Sequence, residues 1–250
     1  MGPLLFAPYA ADIARRLTGL TSGHVLETAA GTGILTRTLA RALPETVAIA
    51  ATDLNQPMID FAAAQIGATR VAWRQADALR LPFDDNVFDA VVCQFGVMFF
   101  PDKVAAYREA KRVLKPGGRF VFNVWDRLEE NEISDIVTEA VGALFPEDPP
   151  RFLARTPHGY HEVRKLRDEV VEAGFASFEA ETVQLFSRAV SPRDAVVGLC
   201  QGTPLRNEIE ARDAARLDAA TDAAAAAVAT RFGPGPISAR MQAHVITAAA

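Results

Sequence analysis

The stretch Glu27-Thr28-Ala29-Ala30-Gly31-Thr32-Gly33 runs directly into Ile34-Leu35-Thr36, so small residues separate an apolar run from an amphipathic one. Residues without bulk at such a corner let a ligand lie against the backbone, and the helix that follows opens with N–H groups that no helix carbonyl accepts. A tight strand-to-helix corner uses the same residues, so the turn alone leaves both readings open. Twenty positions after Gly33 stands Asp53, at the spacing where doubly wound folds set an acid for ribose hydroxyls. Its two carboxylate oxygens can accept from both. Asp53 is also placed to cap a helix that starts near Gln56, alone or shared with Asn55.

Proton transfer would fall to one of four histidines. His24 opens the first apolar run and His244 lies in the last, where packing or surface roles are the ordinary ones. His158 and His161 flank Tyr160 and are the better general-base candidates, although a solvated loop pair reads the same way. Cys93, inside an apolar run, and Cys200 are far apart with no CxxC pair or His-rich cluster, so neither a disulfide framework nor a metal site is expected. Phe95, Met98, Phe99, Phe145, Phe152 and Tyr160, with Trp125, supply walls for a planar apolar or cationic ligand, or else belong to the core.

The elements that must position these residues follow from periodicity. Apolar runs at His24–Thr28, Val47–Asp53, Val71–Gln75, Phe88–Cys93 and Arg119–Trp125 predict five strands, with helices at Gly33–Leu43, Gln56–Gln65 and Asp102–Leu114, the last stopped by Lys115-Pro116-Gly117-Gly118. Alternation of this kind makes a parallel sheet from βαβ units. The pattern breaks after Trp125 into a proline-interrupted segment with a helix at Ile133–Leu144. A helix at Tyr160–Ala173, a strand at Phe178–Phe186, helical residues 192–232 and a last strand at Ile237–Thr247 complete the chain.

The expected fold is α/β: a Rossmann-like, doubly wound, seven-stranded sheet, mostly parallel, with an antiparallel C-terminal hairpin and helical insertions. All of residues 1–250 are expected to form a single domain, with an N-terminal helix over 1–22, a ligand-binding core over 23–125, a lid and helix over 126–175, and the C-terminal hairpin over 176–250 carrying its helical insertion at about 191–232.

Half of the 250 residues are hydrophobic, enough for a sizeable core. Lys plus Arg number 26 against 31 Asp plus Glu, a formal charge of −5, which argues against a polyanion-binding surface and so against nucleic acid as partner. Met1 to Ala11 is apolar but meets Asp12, Arg15 and Arg16 at once, which reads as a helix start and not as a signal peptide. The longest apolar stretch, Ala223 to Ala229, is far short of the roughly 20 residues a membrane span needs. A cytoplasmic location is therefore expected, and the oligomeric state is left open.

With these residues in view, the sequence resembles the class I S-adenosylmethionine-dependent methyltransferases, whose first motif is an acid followed by a turn ending Gly-x-Gly. Glu27, Gly31 and Gly33 match, while Ala29 stands where the family has its first glycine. The resemblance continues through Gln75-Ala76-Asp77-Ala78 and Leu81-Pro82-Phe83-Asp84-Asp85-Asn86-Val87-Phe88-Asp89. It runs on into Cys93-Gln94-Phe95-Gly96-Val97-Met98-Phe99-Phe100-Pro101-Asp102 and Arg112-Val113-Leu114-Lys115-Pro116-Gly117-Gly118-Arg119. The last two are similar to motifs of the small-molecule branch that includes ubiquinone and menaquinone biosynthesis methyltransferases. It implies S-adenosyl-L-methionine as cofactor, with the Gly31–Gly33 backbone at its methionine part, Asp53 at the ribose, Leu54 and Met58 at the adenine, and Asp77 accepting from the adenine amino group. Tyr9, Glu27, Ala29, Thr32, Ala78 and Gln94 are implied as further cofactor contacts. Phe95, Met98, Phe99, Trp125 and Tyr160 are expected to bind a small, aromatic or quinone-like acceptor. Residues 126–160, with Phe6 and Tyr9, are expected to close over the ligands. Two alternatives stand beside this reading: an NAD(P)-dependent oxidoreductase, disfavoured because Thr36 replaces the third glycine of Gly-x-Gly-x-x-Gly, and a cofactor binder without catalysis.

Overall fold

The structure is a computed structural model that describes residues 2–66 and 70–250. Met1, the first residue of the expected N-terminal helix, lies outside them.

Strands are β1 (Gly23–Glu27), β2 (Val47–Asp53), β3 (Val71–Gln75), β4 (Phe88–Gln94), β5 (Leu114–Trp125), β6 (Glu179–Ala189) and β7 (Ile237–Ala249). They form one sheet in the order β3-β2-β1-β4-β5-β7-β6. The β1–β2, β1–β4, β2–β3 and β4–β5 pairs are parallel, with Val25 opposite Ile49 and Ala90 in the middle of the sheet. The C-terminal strands are antiparallel, with β7 between β5 and the edge strand β6. The reversal of order on either side of β1 and β4 is the doubly wound arrangement, which opens a crevice beyond the carboxyl ends of these strands.

Helices are α1 (Ala7–Arg16), α2 (Ile34–Ala42), α3 (Gln56–Gln65), α4 (Lys103–Val113), α5 (Glu132–Ala143), α6 (Phe152–Arg155), α7 (Val163–Glu172), α8 (Pro192–Gln201), α9 (Leu205–Asp213) and α10 (Leu217–Phe232). The expected N-terminal helix is shorter than 1–22: a π-helical turn at Gly2–Phe6 leads into α1, which ends at Arg16. Strand β5 starts earlier than Arg119. Leu114 already pairs with Phe88, and the register slips before Ala90 meets Arg119, so Pro116-Gly117-Gly118 form an irregularity in the strand and not a separate turn.

Two compact units divide the chain. One comprises 6–124, 162–182 and 244–250, and the other comprises 1–5, 125–161 and 183–243. In the first, β4 is buried along Ala90–Cys93, and Tyr107 of α4 stacks on Phe122 at 5.3 Å while Phe120 contacts both Phe122 and Phe175. Arg112 secures the loop before β4: it donates to the carbonyls of Leu81 and Phe83 and pairs with Asp85 at 2.7 Å and Glu109 at 2.8 Å. Lys115 and the His24 N–H hold Asp89 at 2.8 Å. Part of the motif Arg112–Arg119 is thus a brace. In the second unit α10 packs on α5 and α8, and Ile133, Val137 and Val141 of α5 are buried with Phe152 and Leu153. The proline-broken segment therefore has a helix and a core of its own.

Candidate cofactor site

The apolar run of β1 carries Glu27 to the carboxyl end of the sheet, where it is only 2 % exposed. Thr36 Oγ1, in the first turn of α2, donates to Glu27 Oε2 at 2.6 Å. Thr36 stands where a dinucleotide fingerprint has its third glycine, so the residue that breaks that fingerprint is the partner of the acid. Burial pushes the Glu27 carboxyl up to about 8; Asp53 adds to the rise, while Thr36 and Arg37 oppose it.

Between Glu27 and α2 the loop is left-handed at Ala29 (φ 53°), Gly31 (φ 54°) and Gly33 (φ 73°). An alanine held there costs roughly 1–2 kcal/mol, and the surrounding contacts must supply it. The Gly31 N–H donates to Asp53 Oδ2 at 2.8 Å, and the Ala30 N–H to the Thr52 carbonyl at 2.9 Å. Asp53 Oδ1 accepts from the Asn55 N–H at 2.9 Å. Asp53 therefore links the glycine loop to the start of α3, and Asn55 occupies the cap position itself without a side-chain cap bond.

Gly31 and Gly33 serve different purposes. A Cβ built on Gly31 meets no atom within 4 Å, whereas one on Gly33 comes to 2.9 Å from Ala62 and 3.1 Å from Trp73. Gly31 leaves room for a ligand and Gly33 leaves room for α3 and β3. A third glycine, Gly96, has an ordinary right-handed backbone, but its Cβ would sit 2.5 Å from the Ala29 Cβ and 2.7 Å from Cys93 Sγ. The methyl group at 29 is thus accommodated by the lack of one at 96.

These residues surround a cleft of about 180 Å³ lined by Phe6, Glu27, Ala29, Ala30, Gly31, Thr32, Ile34, Leu35, Gln94 and Phe95. Gln94 donates from Nε2 to the Phe6 carbonyl at 2.7 Å, and its Oε1 is buried with no partner among the described residues. Tyr9 is fully buried and meets Phe95 edge-to-face at 5.3 Å, with Phe6 on the other side of Phe95 at 5.8 Å. A buried acid, aromatic faces and an open side at Gly31 suit a cation such as the sulfonium and ammonium end of S-adenosylmethionine.

The other sequence-predicted residues lie outside that cleft. Leu54 and Met58 are 67 % and 41 % exposed, as is Phe61 at 54 %, in the chain that follows Asp53. Asp77 sits in a turn, its Oδ1 accepting from the Leu79 N–H at 2.9 Å and its carbonyl from Arg80, with Ala78 between. Met98 is buried and Phe99 half exposed in the turn after β4. In the second unit Trp125 packs on His158 at 6.0 Å and Tyr160 is buried. His158 Nδ1 lies 2.8 Å from the Asp126 carbonyl; a carbonyl only accepts, so Nδ1 carries the proton and Nε2 the lone pair. Burial lowers this imidazole to about 4. His161 Nδ1 lies 2.8 Å from the His158 carbonyl. Sequence reading missed Asn123, whose Oδ1 accepts the Phe95 N–H at 2.9 Å. Its signal was a lone amide in the apolar run Phe120–Trp125. Among the described residues no His/Cys/Asp/Glu group is arranged to hold a metal ion, and no helix is long and apolar enough to cross a membrane.

The sequence profile of a family described as "Methyltransferase domain" matches residues 26–122. The chain is 31% identical over 174 residues to the ubiquinone/menaquinone biosynthesis C-methyltransferase UbiE of Saccharophagus degradans, covering 64% of this chain and 70% of that protein. It is 33% identical over 174 residues to the demethylmenaquinone methyltransferase of Lactiplantibacillus plantarum, covering 68% of this chain and 70% of that one. The crystal structure of YcgJ from Bacillus subtilis superposes with a TM-score of 0.62 over 97% of this chain and 98% of that chain at 19% identity, which concerns the fold. The chain belongs to the class I S-adenosylmethionine-dependent methyltransferases and is an enzyme that takes its methyl group from S-adenosylmethionine.

Proposed function

We propose that the enzyme methylates a quinone-like aromatic ring carrying hydroxyl groups. The observation that carries this reading is the identity of about a third to proteins named for ubiquinone and menaquinone C-methylation. The aromatic group formed by Phe6, Tyr9 and Phe95 supports it.

S-adenosylmethionine supplies an electrophilic methyl group that carries its own leaving group, so the chain has chiefly to align and to exclude water. On this reading Glu27, Ala29, Gly31, Thr32, Gly33, Gln94 and Tyr9 hold the methionine end. Asp53 takes the ribose, its two carboxylate oxygens retaining lone pairs beyond the bonds to Gly31 and Asn55. Leu54, Met58, Asp77 and Ala78 take the adenine. Phe95, Met98, Phe99, Trp125 and Tyr160 bind the acceptor, and residues 126–160 order when both ligands are bound. His158, neutral with its Nδ1 proton fixed, is the proposed proton acceptor: an activated ring that has gained a methyl is a strong acid, so a weakly basic imidazole suffices. His161 holds the His158 backbone.

The test is transfer of labelled methyl from S-adenosylmethionine to 1,4-dihydroxynaphthalenes bearing a short prenyl chain, with product identified by mass and by whether carbon or oxygen is methylated. Transfer to ring carbon supports the reading. Transfer to phosphoethanolamine or histamine, with none to the naphthalenes, would overturn it.

A further inference from the structure

Two buried polar atoms in the unit that holds the cleft have no protein partner among the described residues: Oε1 of Gln94 and Nδ2 of Asn123. They are a complementary pair. Gln94 closes β4, and Asn123 stands opposite it in β5 in parallel register, so both side chains leave the same face of the sheet as neighbours. Asn123 is fully buried. Its Oδ1 accepts the Phe95 N–H at 2.9 Å, which fixes the orientation of the amide and leaves Nδ2 as the idle half. Gln94 gives Nε2 to the Phe6 carbonyl, so its idle half is the acceptor.

An unsatisfied buried donor or acceptor costs about 1–3 kcal/mol. Phe120, Val121, Phe122 and Val124 around Asn123 are all buried and apolar; Oδ1 is needed there by the Phe95 N–H, whereas Nδ2 meets no such need. Nδ2 of Asn123 and Oε1 of Gln94 are thus the two halves that no described residue satisfies. They lie near the carboxyl ends of two adjacent parallel strands, where ligands of doubly wound sheets bind, and Gln94 also lines the cofactor cleft.

We propose that Gln94 Oε1 and Asn123 Nδ2 form a two-point subsite for one hydroxyl of the methyl acceptor, which accepts from Asn123 and donates to Gln94. A hydroxyl is the small group that satisfies both atoms at once; a carbonyl or an ether satisfies only Asn123, and an ammonium only Gln94. The proposal rests on the acceptor reading above only in placing that hydroxyl on an aromatic ring.

The experiment uses the full chain labelled with nitrogen-15, with the Asn123 side-chain amide signal assigned by its loss in Asn123→Asp. S-adenosylhomocysteine is added first, then 1-naphthol, 1-methoxynaphthalene or 1,4-dihydroxynaphthalene. S-adenosylhomocysteine alone should leave the Asn123 amide in place, and 1-naphthol should shift it and bind about tenfold more tightly than its methyl ether. In Asn123→Leu and in Gln94→Met the preference for naphthol over the ether should fall to about twofold. Gln94→Met leaves the Asn123–Phe95 bond intact and carries the test if Asn123→Leu does not fold. A shift with S-adenosylhomocysteine alone would assign the pair to the cofactor's amino-acid end and overturn the proposal. Equal affinity for naphthol and ether, or saturable binding of neither, would overturn it as well. If naphthol behaves as expected while 1,4-dihydroxynaphthalene is not methylated, the quinone-like reading fails and the subsite stands.

Discussion

Glu27 is buried in the cofactor cleft and faces Thr36 and Arg37 of α2, Asp53 of β2 and Cys93 of β4. With the carboxyl at about 8, Glu27 is mostly protonated at pH 7, and forcing it to ionise there costs about 1 kcal/mol. A ligand carrying sulfonium and ammonium charges favours the ionised form. Binding of S-adenosylmethionine should therefore release close to one proton at pH 7, and affinity should rise about tenfold between pH 6 and pH 7, below the range in which the ligand's own amine titrates. Glu27→Gln keeps an acceptor for the Thr36 hydroxyl but has no proton to lose, so its affinity should be flat over that interval. The assay is calorimetry in two buffers of different ionisation enthalpy, which gives the proton count directly.

The same group leaves a trace on the ligand-free protein. Its folded pKa lies above the unfolded value of 4.5, so the unfolded chain ionises first and the folded chain loses stability as pH rises from about 4.5 to about 8. By pH 7 the loss is about 3 kcal/mol. Glu27→Gln should melt progressively higher than the parent over that window. Equal pH slopes in the two proteins, together with no net proton release on binding, would refute a protonated Glu27.

Asp53→Ala should weaken S-adenosylhomocysteine binding by about 1.5–3 kcal/mol, roughly ten- to hundredfold, and an unchanged dissociation constant with the fold intact would remove the ribose assignment. Gly31→Val should impair cofactor binding, since its open Cβ direction is where the ligand would lie, and should also lose stability to its left-handed backbone; should the variant not fold, Gly31→Ala takes its place, and normal binding by the variant that folds would reduce the loop to a corner. Tyr160→Ala should lower methyl transfer through the acceptor while S-adenosylhomocysteine affinity changes by less than about 1 kcal/mol. Hydrogen exchange in residues 126–160 should slow when both ligands bind, and full protection in their absence would end the idea of a cover.

Much of this protein was legible because its code is local. The β1–β5 pattern, the glycine turn and the acid at Asp53 are read from periods and spacings, Glu27 from the resemblance of its motif, and the sheet brings them together. What escaped is set by tertiary neighbours: Thr36 appears only as the absence of a glycine until Glu27 is found at 2.6 Å, and Asn123 appears as one polar residue in a strand until its register partner is known. Gly96 shows the limit most sharply. Nothing in its own backbone asks for glycine; the requirement comes from the methyl group of Ala29 and the sulfur of Cys93. Ala29 in turn departs from the family's glycine and bears a left-handed backbone for it. If the two positions form one packing unit, Gly96→Ala should cost about 1–3 kcal/mol by overpacking, read as a fall in melting temperature. Ala29→Gly in that background should restore a large part of the loss, because it removes both the opposing methyl and the strain. Additive effects of the two substitutions would show that the sites are independent, and the cost of Gly96→Ala would then lie with Cys93 alone.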